Sequence, residues 1–158
     1  MSTPNRILTT LVGSLPRPEP VVQQLFAQDS GLNYDAAAFD SLMQSEVAAV
    51  VARQKAAGVD VVSDGEMSKI SYATYVKDRY HGFGGDSPRN APADLKMFPT
   101  FLERLAKQGG TPQYARPQCV GPVKSKGQGE LSKDIAALKT AMAAHGVERG
   151  FMNAASPG

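Results

Sequence analysis

The sequence predicts an α/β fold in which parallel strands alternate with helices. A helix followed directly by a strand occurs twice, two further short β-rich runs are present, and the segments between strands are long. Those segments supply the crossover of a dozen or more residues that a parallel strand pair needs. The 158 residues, of which 42% are hydrophobic and 20% charged, suffice for one domain with a core.

The first helix–strand unit lies in the first half of the chain. Apolar side chains recur at helical spacing over residues 39–54, and Gly58 follows as a left-handed C-cap would. Both Asp35 and Asp40 are candidates for the N-cap. The β-branched run at residues 59–63 comes directly behind the glycine and predicts a buried strand.

The second unit repeats this pattern near the end of the chain. We expect its helix to begin near Ser132, and the small apolar run at residues 151–155 follows as a strand. Four apolar residues share one face of that helix: Leu131, Ile135, Leu138 and Met142.

Two further strands are predicted at residues 7–12 and 118–123. Residues 67–117 contain a helical pattern, and we interpret this long stretch as an active-site loop rather than a linker between domains. Four βα units make half of an eight-stranded (β/α)8 TIM barrel. We therefore expect residues 1–158 to be the N-terminal half of one barrel domain, with open strand edges through which copies could associate.

Composition excludes several functional classes. The 17 basic and 15 acidic residues are interspersed, so no nucleic-acid surface is predicted. No apolar run approaches the ~20 residues of a membrane span, and the start of the chain lacks the regions of a signal peptide. We expect a cytoplasmic protein without a disulfide, because Cys119 is its single cysteine.

Polar side chains follow the predicted strands, where parallel α/β folds build their sites. Gly13 allows close approach of a ligand, and the amides and hydroxyl around Ser14 could bind a carboxylate. The alternative is that this Gly-Ser pair and the prolines after it form only a stiff turn.

Glu66 is a second candidate, because a carboxylate at a strand end can hold an ammonium group or act as acid or base. The alternatives are a solvated loop acid and an N-cap partner for the next helix. Asp64 could pair with a lysine or accept from loop amides. Two histidines and one cysteine without paired spacing predict no zinc site.

Three segments together resemble a known enzyme family. They are residues 9–18 (TTLVGSLPRP), residues 54–66 (QKAAGVDVVSDGE) and residues 120–123 (VGPV). They are similar to the catalytic barrel of cobalamin-independent methionine synthase, and most similar to its single-barrel, methionine synthase II-like members. The resemblance implies a TIM barrel of the type shared by uroporphyrinogen decarboxylase and methionine synthase.

The resemblance also implies a chemistry. In that family, zinc activates the thiolate of homocysteine, and methyltetrahydrofolate donates the methyl group. Gly13 and Ser14 match the segment that holds the carboxylate of homocysteine, and Glu66 matches the acid that holds its ammonium group. The zinc ligands of the family come from the later half of the barrel, so the resemblance implies none in this chain.

Two alternatives to homocysteine methylation stay open at this point. One is zinc-dependent alkyl transfer to another thiol, such as coenzyme M. The other is a half-barrel without catalytic activity.

Overall fold

The computed structural model describes residues 6–32, 35–85, 93–108 and 117–154. Over these ranges it contains six helices and four strands. The helices are α1 (Glu19–Asp29), α2 (Ala36–Ala56), α3 (Tyr72–Arg79), α4 (Ala93–Lys96), α5 (Pro99–Gln108) and α6 (Gly129–Ala144). The strands are β1 (Val62–Ser63), β2 (Tyr80–Gly84), β3 (Gln118–Ser125) and β4 (Gly150–Phe151).

Three of the four predicted strand segments run parallel, with the segment before Asp64 paired to the other two. β1 pairs in parallel with β4, and a parallel bridge joins Thr10 to Val61 on the other side. The N–H of Val61 donates to the carbonyl of Thr9 at 3.1 Å, whereas the N–H of Val62 donates to the carbonyl of Arg149 at 3.1 Å. The predicted strands at 7–12, 59–63 and 151–155 therefore meet in one parallel arrangement, although each is shorter than predicted.

The predicted parallel strand at residues 118–123 is wrong in its direction and its partner. These residues lie in β3, which pairs antiparallel with β2. A β-rich run does not specify which strand it will pair with. Gly82 permits this pairing, because a Cβ atom there would lie 2.6 Å from the carbonyl oxygen of Pro122. The described residues thus contain three parallel segments rather than the four predicted βα units.

Local signals explain the placement of α2. Asp35, rather than Asp40, caps the helix by accepting from the N–H groups of Ala37 and Ala38 at 2.9 and 3.0 Å. Gly58 adopts the predicted left-handed conformation, with φ of +78°.

The core lies where α2 packs against α6 and the parallel strands. Its fully or nearly buried members include Val50, Val51, Val62, Met67 and Ala141. α6 begins at Gly129, one turn before the predicted start.

The long stretch after β1 is structured in its described parts, with the predicted helical pattern forming α5. Phe98 and Phe101 there are 60% and 48% exposed. Within the four described ranges, no helix has both the length and the apolar content that crossing a membrane requires.

Candidate functional site

Three strand ends converge on the carboxylate of Glu66. Ser14, in the turn after the first parallel segment, donates its hydroxyl to Oε2 of Glu66 at 2.5 Å. Asn153, just after β4, donates its side-chain amide to Oε1 at 2.8 Å. Glu66 itself follows β1 and is 4% exposed. The parallel arrangement therefore places two of the predicted site residues, Ser14 and Glu66, in direct contact, with Gly13 next to Ser14 in the chain.

The turn that carries Glu66 has an unusual backbone. Gly65 and Glu66 have φ of +63° and +56°, and Glu66 is the one non-glycine residue with positive φ among those described. A Cβ atom on Gly65 would lie 3.1 Å from Cε of Met67, so the turn is also tightly packed. Asp64 supports the turn by accepting from the N–H of Glu66 at 3.0 Å, and the N–H of Leu15 donates to Gly65 at 3.0 Å.

Arg17 hydrogen-bonds the turn that carries Glu66 to the turn that carries Ser14. Its guanidinium donates to the carbonyl oxygen of Glu66 from Nη2 at 2.8 Å and from Nε at 3.2 Å, and also to the carbonyl of Lys69. Nη2 is 3.2 Å from Oγ of Ser14. Burial lowers the pKa of Arg17, while the carboxylates of Glu66 and Asp64 oppose that shift.

A buried ion pair forms the floor of the site. Nζ of Lys69 lies 3.2 Å from Oδ2 of Asp64, and the two side chains are 2% and 4% exposed. The same Nζ donates to the carbonyl of Asn153 at 3.2 Å and lies 5.5 Å from the ring centroid of Tyr75. Asp64 thus makes both contacts considered from sequence, with a lysine and with a loop amide.

A groove of about 660 Å³ opens beside Lys69 and Asn153, between α6 and β4. Its volume lies in the range of small-molecule sites. Apolar side chains dominate its walls, among them Leu138, Met142, Phe151 and Met152.

The hydrogen-bonding pattern decides which ligand groups would suit the site. A serine hydroxyl can donate one hydrogen bond, and the Ser14 hydroxyl donates it to Glu66. Towards a ligand, this hydroxyl can therefore only accept. Within the described ranges, the N–H groups of Gly13 and Ser14 donate to no backbone carbonyl. A Cβ atom on Gly13 would meet nothing within 4 Å, so open space lies beside these amides. The site therefore presents acceptors for a cation, on Glu66 and the Ser14 hydroxyl, beside N–H donors for an anion, on Gly13 and Ser14.

Two residues of the network were not predicted as site residues. Arg17 lies in the same turn as Ser14. No signal in the sequence predicts its hydrogen bond to the carbonyl of Glu66, which is distant along the chain. Asn153 was assigned to the interior of a strand, but β4 ends at Phe151. Two further strands are predicted to end before Lys124 and before Ser156. Lys124 and Ser125 lie in the antiparallel pair, and residues 156–158 lie outside the described residues.

The described part of the chain does not fit a zinc centre. No three side chains of histidine, cysteine, aspartate or glutamate are grouped within it so as to hold a metal ion. Cys119 lies on β3, and its Sγ donates to the carbonyl of Gly121 at 3.4 Å. No step through a metal is therefore derived from these residues.

Comparison with known proteins finds a family match in the N-terminal part of the chain. No curated protein matches the chain. Residues 7–84 match the family described as cobalamin-independent synthase, catalytic domain. The match includes two of the three resembling segments and the turns that carry Gly13, Ser14, Arg17 and Glu66; the segment at 120–123 lies outside it. Over residues 7–84, just under half of its length, the chain is similar to the catalytic domain of cobalamin-independent synthases.

Proposed function

We propose that this chain binds the amino-acid end of homocysteine in a methionine synthase-like methyl-transfer site, as the leading part of a barrel domain. The observation that carries the proposal is the buried carboxylate of Glu66, held between Ser14 and Asn153 where three parallel segments end. The family match over residues 7–84 supports the same chemistry.

The ammonium group of the substrate would lie against Glu66 and Oγ of Ser14. Both side chains present acceptors there, and hydrogen bonds between an ammonium group and a carboxylate are roughly twice as strong as those between neutral groups. Burial of Glu66 strengthens such a bond further, since the local dielectric is lower than that of water.

The carboxylate of the substrate would lie against the N–H groups of Gly13 and Ser14. Because the Ser14 hydroxyl donates to Glu66, the backbone amides are the better donors for an anion. The open space beside Gly13 gives a carboxylate access to them.

Homocysteine is favoured over a thiol such as coenzyme M. Coenzyme M has a sulfonate and no ammonium group, so a buried carboxylate would repel it. The proposed role of these residues is to bind and orient the amino acid, while zinc and methyltetrahydrofolate would be supplied elsewhere in the complete site.

The experiment is calorimetric titration of the chain with homocysteine and with 4-mercaptobutyrate, which is homocysteine without its amino group. The unsubstituted protein should prefer homocysteine, and Glu66→Gln should reduce homocysteine affinity about 10- to 100-fold without weakening the binding of 4-mercaptobutyrate. Glu103→Gln, at an exposed position of α5, is the matched control for loss of a charge. Equal affinity of the unsubstituted protein for both thiols, or unchanged homocysteine affinity in Glu66→Gln, would overturn the proposal.

A further inference from the structure

Arg17 is bound to the backbone and hydroxyl groups that surround the Glu66 carboxylate. We infer that Arg17 is a positioning residue, which sets the preference of the site for an amino acid by holding Glu66 and Ser14 in place. The inference rests on the proposed function and adds a residue to it. Its starting point is the contact of the guanidinium with the carbonyl of Glu66 at 2.8 and 3.2 Å.

The backbone of Glu66 needs such support. A left-handed conformation costs a residue with a Cβ atom about 1–2 kcal/mol, and Glu66 has φ of +56°. Its N–H is held by Asp64, and its carbonyl accepts from the guanidinium of Arg17 and from the N–H of Lys69 at 3.0 Å. The direction of the Glu66 side chain follows from this backbone, so loss of the Arg17 contacts would loosen the placement of the carboxylate, which Ser14 and Asn153 also bind.

Arg17 also acts on the partner of Glu66. Nη2 lies 3.2 Å from Oγ of Ser14, and a guanidinium nitrogen can only donate. Oγ therefore accepts from Arg17 and directs its own proton to Glu66. Arg17 thus orders both acceptors proposed for the ammonium group.

A lysine side chain in place of Arg17 could not make the same set of hydrogen bonds. The guanidinium spreads its donors over the carbonyls of Glu66 and Lys69 and the hydroxyl of Ser14. The single nitrogen of lysine is a point donor and lacks this planar fork. Arg17→Lys keeps the charge and much of the packing, so it separates hydrogen-bond geometry from charge.

The test compares homocysteine with 4-mercaptobutyrate in Arg17→Lys and Arg17→Ala, again by calorimetric titration. The expected result is a loss of about tenfold or more in homocysteine affinity, with 4-mercaptobutyrate changed less than about twofold. If Arg17 contributed only to general stability, both variants would instead weaken the binding of homocysteine and of 4-mercaptobutyrate to the same extent. Arg53→Ala, at an exposed position of α2, is the control and should leave both affinities unchanged.

Chemical rescue provides a second readout. Methylguanidinium at millimolar concentration should partly restore the homocysteine preference of Arg17→Ala, whereas urea at the same concentration should not. If both Arg17 variants keep the preference of the unsubstituted protein, the inference is wrong while the proposed function stands. If the unsubstituted protein itself lacks the preference, the proposed function fails and this inference fails with it.

Discussion

The hydroxyl of Ser14 lies 2.5 Å from Oε2 of Glu66, although 52 residues separate the two along the chain. The parallel bridge between Thr10 and Val61 explains this proximity. Ser14 comes four residues after one end of that bridge and Glu66 five residues after the other, so the two turns leave the same edge of the sheet together. Strand register therefore builds the candidate site, and the contact can be tested from either residue.

Replacement of Ser14 should weaken binding of an amino acid. Ser14→Ala removes both the donor to Glu66 and an acceptor for the ammonium group, and a hydrogen bond to a charged group contributes about 1.5–3 kcal/mol. We expect homocysteine affinity to fall about tenfold or more, and Ser14→Thr to retain most of it. Ser45→Ala removes a hydroxyl from an exposed position of α2 and serves as the control in calorimetric titrations. Unchanged affinity in Ser14→Ala would contradict the role given to the hydroxyl.

The turn before Glu66 should not tolerate a side chain at Gly65. Gly65→Ala combines a left-handed φ of +63° with contacts of 3.1 and 3.2 Å to Met67 and Val50. Gly58→Ala imposes the same kind of conformation, at φ of +78°, with nothing within 4 Å. We expect Gly58→Ala to lower the free energy of unfolding by about 1–2 kcal/mol, and Gly65→Ala to lower it further. Urea denaturation measures both, and equal losses would show that packing around Gly65 adds nothing.

Short-range signals in the sequence predicted much of this fold. Helix α2, the glycine that ends it and the buried run that follows depend on residues close together in the chain, and the structure has all three. The sequence also predicted that the strand ends lie together, because parallel strands end at one edge whatever their exact length. Ser14 and Glu66 are in contact for that reason.

Long-range partners could not be obtained from such signals. The run at residues 118–123 is a strand, but its partner β2 lies in the stretch at residues 67–117, which is interpreted from the sequence as an active-site loop. Periodicity carries no information on whether a strand pairs in parallel or antiparallel. Likewise, the contacts of Arg17 with Glu66 and of Asn153 with Glu66 span 49 and 87 residues.

The antiparallel pairing of β2 with β3 is itself open to a test. Gly82→Ala would bring a Cβ atom within 2.6 Å of Pro122 and 2.7 Å of Gly121, both backbone oxygens. Gly121→Ala is the matched control, because a Cβ atom there meets nothing within 4 Å. We expect Gly82→Ala to increase amide hydrogen exchange along β2 and β3 while Gly121→Ala leaves it nearly unchanged. If residues 118–123 were a parallel barrel strand instead, Gly82→Ala would not affect their exchange.

Acid should reveal how the first parallel segment is held against β1. Asp60 accepts from the N–H of Thr9 at 2.8 Å and from its hydroxyl at 3.0 Å, and it pairs with Arg6. The Arg6 and Thr9 hydrogen bonds lower the pKa of Asp60 from 3.8 to about 2. An acid whose pKa is lower in the folded state contributes stability above its unfolded pKa and loses it as the pH falls through the folded value.

The stabilising contribution of Asp60 should thus be complete above about pH 5 and disappear as the pH approaches 2. Asp60→Asn should lower the free energy of unfolding near neutral pH, and the difference from the unsubstituted protein should shrink between pH 4 and 2. In Arg6→Met, NMR titration should find the pKa of Asp60 closer to 3.8, since the largest cause of the shift is removed. A difference that stays constant with pH would mean that the charge of Asp60 does not hold the first segment in register. The proximity of Ser14 to Glu66 would then depend on the other hydrogen bonds between the two segments, among them those that the carbonyl of Thr9 accepts and the one from the N–H of Leu15 to Gly65.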